Sequence, residues 1–396
     1  MIEGLYFRFY KITHLETLSV LLAYAARFLF FLRFLVKRLL LKKESVKFTE
    51  QEAIDLLNKT SPDSGVKPDY SMAPPDDTCD LSVIVPVYNH KDVLERCIDS
   101  LINQKTGFSY ELILVDDGST DGAQDLIEQY RTQNNVSIIH RQNGGIAAAR
   151  NTGICHARGK YIMFADCDDY VHEDIIETLM QGAVQDHADI VMCAHALVKV
   201  RDSQIISRLP NISPKCNLLG YRNGDEIMNY AGLPWGKVYV RSLFENVRFF
   251  PGYWYEDMII HSLIFTRCGK FTYIPEVKYE YQWYEDNFSH TQNSVSVKAI
   301  DRYWLLRAIT DQYQEMGGPT DARYYTMLLK HISAYYYPSV SGLSDDVVEA
   351  MFVAGRQLLL QNRPSKKVRL PFMLRLTEKA VLDNDIALWK LCSVNQ

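Results

Sequence analysis

The sequence has no cluster of Cys and His spaced to hold a structural metal. Its eight Cys stand singly, as Cys79, Cys97, Cys155, Cys167, Cys193, Cys216, Cys268 and Cys392, and none forms a CxxC pair. Apolar surroundings, as at Cys97 and Cys193, mark them as buried reduced thiols of a cytosolic protein. A positive excess is also missing. Against 43 Lys and Arg stand 48 Asp and Glu, a net charge of −5, which argues against bulk binding of nucleic acid. No internal repeat and no low-complexity tract occurs. Near the N-terminus the longest stretch without a charge is Thr17–Ala26, too short to span a bilayer. A cleaved signal peptide is not expected either, because the basic residues continue through and past the apolar run.

What is present is an ordinary globular composition, 47% apolar and 23% charged, over 396 residues, enough for two or more domains. Aromatics reach 12%, with 25 Tyr, which reads first as core and second as sugar-stacking surface. Residues 1–43 carry Arg8, Lys11, Arg27, Arg33, Lys37, Arg38, Lys42 and Lys43 against Glu3 and Glu16. On a helical wheel Arg27, Arg33, Lys37, Arg38 and Lys42 share about half the circumference, and Leu, Phe and Val fill the rest. Such a helix suits an anionic membrane interface; packing on its own catalytic domain or on a partner subunit is the other reading.

Residues 58–80 hold four Pro and a Gly and read as a linker or extended surface segment. From there a strand–helix alternation begins. Leu81–Val87, Tyr110–Val115, Val136–His140, Lys160–Ala165 and Ala188–Ala194 are expected strands. Asp92–Gln104, Asp121–Arg131, Gly145–Ala157 and Glu173–Asp186 are the expected helices between them. This alternation means a parallel, doubly wound sheet covered on both faces, with ligands at the carboxyl ends of the strands. Beyond residue 195 the alternation fades, and 255–268, 299–333 and 345–361 look helical. The expected organisation is a basic amphipathic segment at 1–57, a linker at 58–79, the α/β domain at 80–295 and a helical region at 296–396.

The polar clusters sit at the ends of those strands. The first strand closes on Pro86, Tyr88 and Asn89; Tyr88 can offer a ring face to a base, and Asn89 can hydrogen-bond. Asp116 and Asp117 end the second. Adjacent carboxylates at the end of an apolar strand are costly unless a base N–H, a ribose hydroxyl or a cation meets them. Ser119, Thr120 and Asp121 suffice to cap the following helix. Gly144 and Gly145 open a helix of small residues, by tight packing or for close approach of a ligand, and Arg150 and Asn151 lie about two turns in. Arg150 can pair with a diphosphate or lock Asp116. The fourth strand ends in Asp166-Cys167-Asp168-Asp169, where a D-x-D pair can hold a hard divalent cation through oxygen. Finally, Trp235 and Lys237 precede Glu256-Asp257. Helix-dipole stabilisation explains acidic residues in a first turn; a general base beneath an acceptor hydroxyl explains them equally well.

In order, PVYN, VDDGSTD, NGGIAAARN, FADCDD, WGK and YED make the sequence resemble the large family 2 of inverting glycosyltransferases with the GT-A fold, over about residues 80–290. A late NSVS at Asn293 resembles the family's C-terminal loop. The resemblance implies a Rossmann-like doubly wound mixed sheet. It implies that Pro86, Tyr88, Asn89, Asp116 and Asp117 hold the base, often uracil, and the ribose. Gly144, Arg150, Asn151 and Asp166 would sit by the nucleotide. Asp168, with Asp166, would bind Mn²⁺ or Mg²⁺. Asp257 would be the catalytic base with Glu256 in support, and Trp235 and Lys237 would lie toward the acceptor. Cys167 stands where the family more often has Ser or Ala, in a position facing away from the metal.

The implied activity is metal-dependent, inverting transfer of a sugar from a nucleotide diphosphate, a UDP-sugar, to an acceptor hydroxyl. The basic helix over residues 17–43 suggests a lipid-linked acceptor in surface-polysaccharide or glycan assembly. A glycan or lipid-linked glycan would be the acceptor, and the enzyme would be cytoplasmic at the inner face of the membrane. A sugar nucleotidyltransferase is the rival enzyme, but it would need a basic Gly-rich loop near the first strand, which PVYNHKD is not. A silent scaffold that kept the domain is the rival from another class.

Overall fold

Leu81–Val87 (β1) is buried along its whole length, as a continuous apolar strand flanked on both sides must be. The structure is a computed structural model describing residues 16–201, 204–211, 220–223, 227, 230, 232–283 and 295–394. Arg8, Lys11, Cys216 and Asn293 lie outside the described residues. The chain divides into two compact units, one of Met1–Asp63, Val295–Arg307 and Pro319–Gln396, the other of Ser64–Ser294 and Ala308–Gly318.

Two helices of the first unit, α1 (Glu16–Leu40) and α2 (Glu50–Thr60), precede the sheet. The sheet unit then runs β1, α3 (Lys91–Ile102), β2 (Tyr110–Asp116), α4 (Ala123–Glu128), β3 (Val136–His140), α5 (Ile146–His156), β4 (Tyr161–Phe164), β5 (Tyr170–Val171), α6 (Ile175–Asp186) and β6 (Ile190–Arg201). After these come β7 (Gln204–Asn211), β8 (Gly220–Asn223), β9 (Lys237–Val240) and β10 (Lys270–Trp283). The main strand order is β3-β2-β1-β4-β9-β6-β10-β5, with β7 on β6 and β8 on β10. Pairings β3-β2-β1-β4 are parallel, β9 is antiparallel to both its neighbours, and β10 is parallel to β6. The doubly wound sheet is therefore mixed rather than wholly parallel.

Within this sheet Pro86 pairs in register with Val115 of β2, whereas pairing with β4 stops at Ile84. A residue without an N–H is tolerated where the ladder on one side has ended. The expected helix over 255–268 is shorter. A π-turn, Ile260–Ile264, runs into the brief helix Phe265–Arg267. Ala188–Ala194 proves to be only the start of β6, which continues to Arg201 and folds back as β7.

The first unit is helical. Its further helices are α7 (Asp301–Glu315, whose first half belongs here), α8 (Ala322–Lys330), α9 (Tyr336–Val340), α10 (Asp345–Gln361), α11 (Phe372–Leu382) and α12 (Ile386–Ser393). Buried indoles are satisfied by carbonyls: Trp304 donates to Ser61 at 2.8 Å and Trp389 to Ile332 at 2.9 Å. Helix α1 buries Phe34 and sets Phe31 edge-on to Phe372 at 5.7 Å, so it packs on its own unit. It still exposes Phe28, Leu29, Leu32, Val36, Leu39 and Leu40. Among the described residues no helix is long and apolar enough to cross a membrane. All described Cys are free thiols, and Cys97, Cys167, Cys193, Cys268 and Cys392 are buried.

Candidate active site

The ends of β1 and β2 are stapled together. Asn89 and His90, at φ 60° and 65°, turn the chain from β1 into α3 through left-handed backbone, which Asn tolerates better than most residues. The Asn89 amide donates to Ser119 Oγ at 2.9 Å, and the Thr120 amide donates to Asn89 Oδ1 at 2.9 Å. Asp121 receives the amides of Lys91 and Ala123, both at 2.9 Å, and so serves the starts of α3 and α4. Tyr88 stands half-exposed beside this staple.

Asp116 and Asp117 are both buried, and their oxygens are met from different directions. Asp116 accepts from the Ser119 amide at 2.9 Å, and its other oxygen lies 2.9 Å from His140 Nδ1. Burial works against its charge, but the His140 and Ser119 bonds outweigh it and lower its pKa. Asp117 accepts from the amides of Gly144 and Gly145, the latter at 2.7 Å, and pairs with Arg141. It therefore shapes the turn that opens α5. Gly118 makes that turn possible: its φ is +79°, and a Cβ there would stand 3.0 Å from the Asn143 nitrogen.

Helix α5 carries the link to the other clusters. Arg150 is 2% exposed and donates from Nη2 to Asp166 and from Nη1 to Glu256, each at 2.8 Å. Burial opposes charge on this guanidinium, but the two carboxylates prevail and its pKa is raised. Among the described residues Arg150 thus joins Asp166 to Glu256, while His140 takes the place at Asp116 that Arg150 was free to fill. Asn151 exchanges two bonds with the backbone of Phe249, donating to its carbonyl at 2.7 Å and accepting from its amide at 2.9 Å. Neighbouring residues of one helix so fix the approach to Glu256-Asp257. Tyr255, just before them, has φ 67°, a strained conformation for an aromatic residue. Glu256 and Asp257 lie in the turn that leads into Ile260–Ile264, and the Asp257 carbonyl accepts from the Ile260 amide at 2.9 Å.

The acidic turn after β4 is anchored from β10. Asp169 is buried and accepts from the Tyr279 hydroxyl at 2.6 Å and the Gln282 amide at 2.8 Å. That hydroxyl in turn accepts from the Asp166 amide at 3.2 Å. Asp168 has its pKa pushed up to about 6 by burial and by Asp166. Cys167 is buried.

Trp235 bridges to Phe164 at the end of β4, stacks on Tyr279 at 4.6 Å and Tyr281 at 5.6 Å, and meets His195 edge-on. Lys237 is buried, and its ammonium donates to the carbonyls of Leu233, at 2.7 Å, and Trp235. It anchors the Trp235 loop. Burial lowers its pKa to about 8.

The structure thus ties four strand-end clusters together through α5 and β10. His140, Arg141, Asn151 as a backbone clamp, and Tyr279 have roles the sequence reading did not assign. His140 and Arg141 had a signal: His140 closes β3, the neighbour of β2, and Arg141 follows it, at the same carboxyl edge as the other clusters.

The sequence profile described as Glycosyl transferase family 2 matches residues 82–247. The glycosyltransferase GlyA of Streptococcus pneumoniae is 28% identical over 71% of this chain and 41% of its own length. The uncharacterized glycosyltransferase YibD of Escherichia coli is 30% identical over 59% of this chain and 70% of its own. The minor teichoic acid biosynthesis protein GgaB of Bacillus subtilis is 30% identical over 55% of this chain and 25% of its own. The chain thus spans less than half the length of GlyA and GgaB. Among solved structures, S. aureus TarS 1-349 in complex with UDP-GlcNAc superposes with a TM-score of 0.63, at 21% identity, over 80% of this chain and 90% of that one. The fold is the GT-A fold.

Proposed function

The chain belongs to glycosyl transferase family 2, and we propose that it transfers a sugar, with inversion, from a UDP-sugar to a hydroxyl of a glycan or lipid-linked glycan. The observation that carries this reading is the Arg150 brace, which joins Asp166 of the D-x-D turn to Glu256 beside Asp257. Donor-side and acceptor-side carboxylates are thereby held on one buried cation. The UDP-GlcNAc complex of TarS supports a UDP donor, and the teichoic acid role in the name of GgaB supports assembly of a surface polymer.

In this mechanism Tyr88, Asp116 and Asp117 seat the nucleoside. Asp257 removes the proton from the acceptor hydroxyl, while Glu256, engaged by Arg150, supports it. The acceptor oxygen forms its bond to the anomeric carbon as the bond to the diphosphate oxygen breaks on the opposite side, so configuration inverts. Positioning of both substrates contributes much of the rate. The donor set at Asp166 and Asp168 is all oxygen and crowded with negative charge, which fits a hard divalent cation. Among the described residues no group of three or more His, Cys, Asp or Glu is placed to hold a metal ion; Asp166 and Asp168 are the two that would contribute to holding Mn²⁺ or Mg²⁺. When bound, the cation would neutralise charge developing on the leaving group.

The exposed apolar side of α1, with Arg33, Lys37, Lys42 and Lys43 beside it, suits the anionic inner face of the cell membrane. There the enzyme would meet a lipid-linked acceptor from the cytoplasmic side. A panel of nucleotide sugars tested by thermal shift with Mn²⁺, with and without chelator, checks the central reading. A ligand bound only to the native state raises its melting temperature. UDP-sugars should raise it only when Mn²⁺ is present, and turnover should release UDP. No shift with any nucleotide, or release of pyrophosphate, overturns the proposal.

A further inference from the structure

His140 closes β3 directly opposite Asp116, its register partner on β2. Its Nδ1 lies 2.9 Å from Asp116 Oδ2, and its Nε2 lies 2.7 Å from Glu128 Oε1. Ionised carboxylates only accept hydrogen bonds. A ring that serves two of them must carry a proton on both nitrogens, so the imidazole is an imidazolium. The bond to Asp116, and next the bond to Glu128, raise its pKa above the ordinary value.

Glu128 divides its carboxylate between His140 and Arg131, whereas Asp116 has His140 as its cationic partner. Asp116 faces the ring from β2, and Glu128 faces it from α4. Arg131, just beyond α4, pairs with Glu128. Arg141, the next residue in the chain, pairs with Asp117. Asp116 itself has one oxygen on the Ser119 amide and the other on His140. When the ring loses one proton, the tautomer that keeps Nδ1–H on buried Asp116 leaves the Nε2 lone pair toward the partly exposed Glu128, and the bond to Asp116 is no longer charge-assisted.

We infer that His140 is a positioning residue for the donor. As an imidazolium it holds the Asp116 carboxylate in one orientation for the nucleoside through a charge-assisted bond, and loss of that charge weakens nucleotide binding. This rests on the nucleotide role proposed for Asp116. The sign follows from the raised pKa: the charge-assisted brace is present below the His140 pKa and weakens to a neutral hydrogen bond as pH rises through it. Glu128 is the remote half of the device. It touches the ring on the side away from Asp116, yet it helps to set the pH at which the charge beside Asp116 is lost.

The test is calorimetry of UDP with Mn²⁺ from pH 6 to 9 on the full chain, its His140→Asn variant and its Glu128→Gln variant. The wild type should lose up to about tenfold in affinity for each pH unit above the His140 pKa, the limit for a single proton. In His140→Asn the amide can donate to Asp116 but cannot titrate, so the alkaline limb should vanish. Glu128→Gln removes one of two anions that retain the proton, so the limb should move to lower pH. That side chain is partly exposed, and the variant should fold. Nitrogen NMR of the His140 ring should show both nitrogens protonated at pH 7 in the wild type. A wild-type profile flat in pH, a Glu128→Gln limb superimposed on the wild type, or a singly protonated ring at pH 7 overturns the inference alone. Failure of UDP to bind the wild type at any pH overturns the nucleotide reading, and the inference falls with it.

Discussion

Arg150 and Glu256 stand 106 residues apart in sequence and 2.8 Å apart in space, with Asp166 on the other arm of the same guanidinium. One cation with almost no exposure sets the spacing of two acidic segments. Arg150→Lys supplies a single ammonium that cannot reach both. We expect transfer to fall about a hundredfold, with a clear drop in melting temperature, since removing one partner of a buried ion pair costs about 3–5 kcal/mol. Steady-state kinetics and thermal unfolding check this. Unchanged turnover in the Lys variant would show that the brace has no catalytic consequence.

Asp257→Asn keeps the shape of the side chain and removes its basicity. Transfer should fall roughly 10²–10⁴-fold while UDP affinity stays within error of the wild type. Rapid-mix product analysis together with calorimetry separates the two. Near-normal turnover assigns the base elsewhere.

Gly118→Ala adds a Cβ at φ +79°, 3.0 Å from the Asn143 nitrogen and 3.3 Å from the Arg141 carbonyl. The strain should cost about 1–3 kcal/mol in denaturant unfolding. UDP should also bind more weakly, because the displaced segment carries the partners of Asp117. Wild-type stability in the variant would mean the turn relaxes freely.

Leu29 and Leu39 are both exposed on α1. Replacing both with Glu should abolish cosedimentation with phosphatidylglycerol vesicles and leave thermal unfolding unchanged. Salt should weaken the wild-type interaction, because exposed charges are screened over about 10 Å at 0.1 M. Full retention on vesicles by the double variant would remove the membrane assignment.

The first half of the sheet was legible because parallel strands buried on both faces are written as apolar runs, as in Leu81–Val87. Strand β10 was not. Its sequence KFTYIPEVKYEYQW mixes charges with aromatics and contains Pro275, which argues against a central strand. The structure absorbs that Pro at an irregularity, with register shifts between Ile274 and Tyr279. The expected helix after Asp257 has its apolar residues at helical spacing, but they enter through a π-turn that spacing does not reveal. At the site, the acidic clusters were legible from their place at strand ends. Their partners were not, since nothing local connects His140 to Glu128 or Arg150 to Glu256.

Tyr255 holds a backbone conformation that glycine would adopt more comfortably, immediately ahead of the acidic pair. Such a position sets durability against catalysis. Variants screened only for survival in heat would be drawn toward relaxing this residue, and the same change would let Glu256 and Asp257 drift from their stations. A protein hardened in that way would outlast its parent while working less.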